Sequence, residues 1–106
     1  MDFGQRVSAR IRELRKQKNT TQEKLSEKIG MDLTSYSRIE RGTNSNIRVN
    51  TLARIITALD VDYPTFFNFT DSEIPQERIF AKLALVEDER DEVMDIIEKI
   101  IDLKLK

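Results

Sequence analysis

Residues 21–42 read TQEKLSEKIGMDLTSYSRIERG, and the placement of two glycines and one aspartate in them predicts two short helices joined by a turn. Leu25 and Ile29, four apart, give the first helix one apolar stripe. Gly30 ends it, because the left-handed backbone of a helix exit suits a residue without Cβ. Asp32 stands where its carboxylate can accept from N–H groups two and three residues on and so start the second helix. Tyr36 and Ile39 are that helix's inward residues, and Gly42 stops it. Leu33, Thr34, Ser35, Ser37, Arg38 and Arg41 are left facing outward. Small hydroxyls at the start of a short helix, with arginines behind them, suit the DNA major groove.

Thr21-Gln22-Glu23, Leu25, the Gly30 turn and Ser37-Arg38-Ile39-Glu40-Arg41-Gly42 together resemble the helix-turn-helix of the Xre family, which includes Cro and the lambda-type phage repressors. The resemblance spans roughly residues 3–67. It implies an all-α fold, a five-helix lambda-repressor-like DNA-binding domain whose second motif helix is the recognition helix. By position, it gives Thr34, Ser35, Ser37 and Arg38 the work of reading bases or gripping phosphate. It makes Gln22 a phosphate contact that also braces the recognition helix, and it pairs Arg15 with Glu40. The loop after the motif would offer donors to the sugar-phosphate backbone, with Asn46 and Arg48 the favoured contacts and Arg41 alongside. Three positions depart from the family: Ser26 replaces alanine, Tyr36 a smaller aliphatic, and Leu33 an often polar reader.

Elementary chemistry supports these roles. Arg38 can donate a bidentate pair to guanine O6 and N7, Thr34 offers a methyl and a hydroxyl, and Leu33 offers only apolar contact. A helix N-terminus already favours an anion, which suits a phosphate near Gln22.

The composition narrows the function classes. The 106 residues suffice for one compact domain and a short extension. They include no Cys and no His, which removes disulfides, thiolate metal sites, thiol nucleophiles and the commonest general base. That argues against an enzyme, and neither a cofactor nor a metal is expected. No apolar run approaches the roughly 18 residues of a membrane span, and the N-terminus lacks a signal-peptide core, so a cytoplasmic chain with no membrane partner is expected. The net charge of −1 conceals a division. Residues 1–54 hold 12 Lys/Arg against 6 Asp/Glu, whereas residues 55–106 hold 6 against 13. A basic half beside an acidic half implies one end that meets a polyanion and one that does not.

In chain order, Phe3, Val7, Ile11 and Leu14 predict a first helix with one apolar face. Arg6, Arg10, Arg12, Lys16 and Lys18 read as its solvated side. Thr20 with Glu23, or Thr21 with Lys24, are the two registers open to the start of the second helix, and only the first completes a capping box. A fourth helix is expected from about Asn50 to Leu59, with Leu52, Ile55, Ile56 and Leu59 inward. A short fifth follows, with Pro64 in its first turn and Phe66 and Phe67 in the core. A polar break over residues 69–73 sets the boundary between a DNA-binding domain, residues 1–70, and a helical dimerisation extension, residues 71–106.

That extension should hold one helix over residues 76–85 and a last one from about Asp88 to Leu105. Val93, Ile96, Ile97, Ile100, Ile101 and Leu103 make the last helix too apolar for a single free edge, and they are the candidate dimer contacts. Folding back onto Phe66 and Phe67 is the competing use of that surface. The carboxylates Glu87, Asp88, Glu89, Asp91 and Glu92 suit a helix N-terminus; being consecutive, they point apart and do not form a metal or acid–base site. The expected function is a sequence-specific transcription regulator, a repressor or autoregulator, binding near-palindromic double-stranded DNA as a homodimer. The alternative is an adaptor that uses the same helices for protein contacts.

Overall fold

The Asp2 carboxylate accepts from the Gln5 N–H at 2.8 Å, while the Gln5 side chain accepts from the Asp2 N–H at 3.0 Å. This reciprocal box satisfies two otherwise orphaned donors and starts α1, Phe3–Gln17. In this computed structural model, which describes residues 2–43, 46–86 and 89–106, six more helices follow. They are α2 (Gln22–Ile29), α3 (Leu33–Arg41), α4 (Val49–Ala58), α5 (Tyr63–Phe67), α6 (Pro75–Leu83) and α7 (Arg90–Leu105). The fold is all-helical, with no strand among the described residues.

Local chemistry fixes most of the boundaries. The Thr21 hydroxyl accepts from the Lys24 N–H at 3.1 Å, which selects the second of the two registers and leaves α2 without a reciprocal box. Gly30 and Gly42 both sit at φ +72° and close α2 and α3. Asn19 and Asp60 take the same left-handed region in the turns after α1 and α4, a conformation their short polar side chains tolerate. Asp62 caps α5 by accepting from the Thr65 N–H at 2.8 Å, with a proline in the first turn.

The core lies where α1 to α5 meet. Val7, Ile11, Leu14, Leu25, Ile29, Tyr36, Ile39, Ile55, Ile56, Leu59 and Phe66 are all buried, each contributing roughly 1.5–3 kcal/mol of burial for a large aliphatic or aromatic side chain. Leu52 is only partly covered. Phe3 is not a core residue: it is 61% exposed and stacks against Phe67, with ring centroids 6.4 Å apart. It lies at the outer end of the α1 stripe, beside the rings of Phe67 and Phe69 and not inside the core. Phe67 is likewise exposed, whereas Phe66 is fully enclosed.

Arg10 overturns its expected place on a solvated face. It is buried, and its guanidinium donates to the carbonyls of Phe66 at 3.0 Å, Thr65 at 2.7 Å and Ala81 at 3.5 Å, and pairs with Glu13. Helices expose unsatisfied carbonyls at their C-terminal turns. The ends of α5 and α6 converge here, and one five-donor fork serves both.

The stretch over residues 69–73 is packed as well, not an open break. Phe69 and Ser72 are buried, the Arg6 guanidinium lies 4.5 Å from the Phe69 ring centroid, and Arg6 also pairs with Asp71 at 3.0 Å. α6 therefore continues the packed body, touching α5 and burying Ala81 and Leu83. α7 differs, since none of its residues is buried. The molecule measures 54 × 28 × 19 Å. Glu87 and Asp88 of the acidic run lie outside the described residues.

Candidate nucleic-acid interface

The α2–turn–α3 unit is built from its caps inward. The Asp32 carboxylate accepts from the Ser35 N–H at 2.9 Å and from the Ser35 hydroxyl at 2.8 Å. Those two bonds, the backbone one foremost, hold its pKa below the ordinary aspartate value, so the cap keeps its charge at neutral pH. Ser35 is thereby part of the cap as well as of the outer surface.

Behind α3 lies a buried hub centred on Glu40. Its Oε2 accepts from Arg15 Nε at 2.6 Å, and its Oε1 from Arg15 Nη2 at 3.1 Å and Gln22 Nε2 at 3.1 Å. The Tyr36 hydroxyl donates to Oε2 from one turn earlier on the same helix. Burial pushes the Glu40 carboxyl toward a higher pKa, but hydrogen bonds from Arg15 and Tyr36 and the Arg15 charge outweigh it and leave the value lowered. The Glu40 bond correspondingly raises Arg15. Burial above all, then Glu40, raises Tyr36, which stays a neutral donor. Arg15 also donates from Nη1 to the Thr20 carbonyl at 2.8 Å, tying the end of α1 to the start of α2.

Gln22 passes the brace outward. Its Nε2 donates to Glu40, while its Oε1 accepts from the Ser37 hydroxyl at 2.6 Å. Ser37, expected to face outward, is half-buried and committed to α2. The reason is register: Ser37 lies one residue from inward Tyr36 and shares its flank. Tyr36 has the reach that a smaller aliphatic would lack, and its hydroxyl finds Glu40. Ser26 is buried and donates to the Glu23 carbonyl at 2.7 Å, which satisfies its hydroxyl within α2.

What α3 leaves exposed is Leu33, Thr34, Arg38 and Arg41. Thr34, Arg38 and Arg41 stand at i, i+4 and i+7 and share one face. Beside them, Ser35, Arg38, Asn46, Arg48 and Thr51, with Met31, Ile39 and Ile47 beneath, line a depression of about 220 Å³. The structure thus brings Ser35, Arg38, Asn46 and Arg48 to one place and leaves Gln22 and Ser37 as neighbours on the α2 side. Asn44 and Ser45 of the expected backbone-contacting loop lie outside the described residues.

A match to the Helix-turn-helix family model covers residues 11–66, more than half of the chain. The chain belongs to the Xre/Cro/lambda-repressor-like helix-turn-helix family. No curated protein and no solved structure matches it. Members of this helix-turn-helix family are DNA-binding transcription regulators, and α1 from Ile11 through Phe66 of α5 supplies the matching part. The Glu40 hub and the exposed α3 face both fall inside it, whereas α6 and α7 lie beyond it.

Several residues beside the helix-turn-helix escaped the sequence reading. Thr51 lines the depression, and Val49, at the start of α4, is 81% exposed. α4 opens on Arg48 with no side-chain cap among the described residues. Its first N–H groups and the Arg48 charge together suit an anion. The missing Ser, Thr, Asp or Asn at that cap was the available signal. Among the described residues, no group of three or more His, Cys, Asp or Glu side chains is arranged to hold a metal ion. None of the described helices is long and apolar enough to cross a membrane.

Proposed function

We propose that the protein is a sequence-specific regulator, a repressor or autoregulator, that binds a near-palindromic operator as a homodimer in the cytoplasm. The observation that carries this reading is the Glu40 hub. It holds α3 against both α1 and α2 by side-chain hydrogen bonds, with Thr34, Arg38 and Arg41 outward. Arg38 reads guanine, Thr34 meets a thymine methyl, and Leu33 makes an apolar contact to a base methyl or sugar. Ser35 and Ser37 add polar contacts at the edge of the face. Gln22, Arg41, Asn46 and Arg48 grip the backbone and fix the register. Arg15 and Glu40 form the structural ion pair behind the reader.

Dimerisation follows from size and surface. One recognition helix spans only a few base pairs, and two copies reading half-sites about 34 Å apart multiply the discrimination. Val93, Ile96, Ile97, Ile100, Ile101 and Leu103 on α7 supply the pairing surface, since α7 fully buries none of its residues within its own chain. The acidic C-terminal half keeps that end off DNA while the basic half docks. Selection of bound duplexes from a random pool tests the reading. The expected product is a near-palindrome whose affinity falls steeply with salt. A pool that never enriches, or affinity indifferent to salt, overturns it.

A further inference from the structure

α7 is more apolar than one helix–helix contact requires. Val93, Ile96, Ile100 and Leu103 repeat at intervals of three, four and three, the spacing of a coiled-coil seam. Met94, Ile97, Ile101 and Leu105 form a second stripe beside it. At 3.6 residues per turn the two stripes together sweep roughly 200° of the helix, about twice the arc a helix turns to a single core. Exposures of 40% at Met94, 51% at Ile101 and 77% at Leu105 leave most of the second stripe open to water, with Ile97 partly covered.

The area of one seam is also too small. A buried aliphatic side chain removes roughly 60–120 Å² from water, so four per copy give roughly 240–480 Å². A stable interface takes about 800 Å² per partner. The second stripe needs a surface of its own, and α6 has one. Its inner side buries Ala81 against the body, while Ile79 and Phe80 remain 50% and 51% exposed along the edge that ends at Leu83.

Resting on the homodimer reading above, we infer that the second stripe of α7 seats on the outer face of α6 of the partner subunit, at Ile79 and Phe80. α6 and α7 of two copies then close one four-helix core, with the heptad-spaced stripes meeting at its centre. The seat is in the other copy because α7 fully buries none of its residues on its own chain, where only Val93 and Ile97 are even partly covered, and that chain's long dimension reaches 54 Å. Charge agrees on the Ile79 side: Asp91 and Glu98 border the second stripe one turn from Met94, and Lys82 borders the Ile79 edge, while Glu77 beside Phe80 is held by the Ser72 hydroxyl. Asp95 and Asp102 occupy the opposite side of α7, which stays wet.

The chain contains no cysteine, so introduced thiols report contacts cleanly. A Phe80→Cys chain and an Ile101→Cys chain carrying a longer tag are co-expressed, purified and mildly oxidised, with Asp95→Cys replacing Ile101→Cys as the control. Ile100→Cys alone reports the central seam, and the unaltered protein is weighed in solution. The expected result is a two-chain mass, an Ile100→Cys homodimer link, and a Phe80→Cys to Ile101→Cys link several-fold stronger than the control. A two-chain mass with the Ile100→Cys link but no mixed link overturns the inference and leaves the homodimer standing. A four-chain mass without the mixed link overturns it in favour of α7 helices filling both stripes. A one-chain mass removes the homodimer itself.

Discussion

Arg10 on α1 donates from Nε to the carbonyl of Phe66, the last buried residue of α5, across 3.0 Å and 56 positions of sequence. The same guanidinium reaches Thr65 and Ala81, so a single buried cation joins the DNA-binding helices to α6. Leaving a buried acceptor without its donor typically costs about 1–3 kcal/mol. Arg10→Met strips the donor from the Phe66 and Thr65 carbonyls and is therefore expected to lower stability by at least about that amount. Arg10→Lys should recover only part, because an ammonium lacks the planar fork. Urea unfolding of the three proteins measures it, and a methionine variant as stable as the parent would refute the joint.

Glu40→Ala leaves the Arg15 guanidinium and the Tyr36 hydroxyl without their shared acceptor. A loss of about 1–3 kcal/mol is expected for the partly buried groups left without their acceptor, while replacing Arg15 and Glu40 together by apolar residues of similar size should restore much of it. The pairing also sets an acid limit. The Glu40 carboxyl is held below its ordinary value of 4.5 in the folded chain. Its contribution is thus complete above pH 4.5 and is lost as pH falls through the depressed folded value. The stability gap between the parent and Glu40→Gln should narrow on going from pH 7 toward pH 3, read from urea midpoints; a constant gap would count against the charged form.

Arg38 and Arg48 line the same depression and are expected to fail differently. Arg38→Ala should cost about 1–3 kcal/mol on the selected operator and relax choice at particular base pairs. Arg48→Ala should weaken all sequences alike and reduce the salt slope by about one phosphate contact. Binding profiles over single-base variants at several salt concentrations separate the two, and uniform losses for both would deny Arg38 a reading role.

Removing residues 87–106 deletes α7 while leaving the Arg10 joint intact. The truncated protein is expected to run as a folded monomer at micromolar concentration and to bind half-sites without cooperativity. Sedimentation gives its mass, and a truncated dimer would transfer the pairing to another surface.

Much of this was legible in the residues themselves. Asp32, Gly30 and Gly42 announced the motif because capping and left-handed exits are local, decided within four residues. The core stripes of α1 and α4 followed from helical period. Arg10 was not legible: it sits in a row of like charges, and the carbonyls that claim it arrive from residues 65, 66 and 81. Phe3 keeps the period of its stripe yet sits with Phe67 and Phe69 at the core's edge, which no periodicity can reveal. Helical position and family resemblance both turn Ser37 outward, while its partner Gln22 lies on another helix. Residues 69–73 looked like a linker by polarity, but Phe69 anchors them, and an aromatic in a polar stretch was the sign of it.

With α3 as the proposed recognition helix, the Glu40 hub has a consequence for how sequences would be told apart. With Arg15, Gln22 and Tyr36 all converging on one carboxylate, the orientation of α3 is settled while the chain folds, before any DNA is met. A rigid probe cannot repack itself around a mismatched base pair. It must leave a donor unsatisfied or pull away, so in the proposed role fidelity would arise from stiffness in the reader as much as from the contacts it makes.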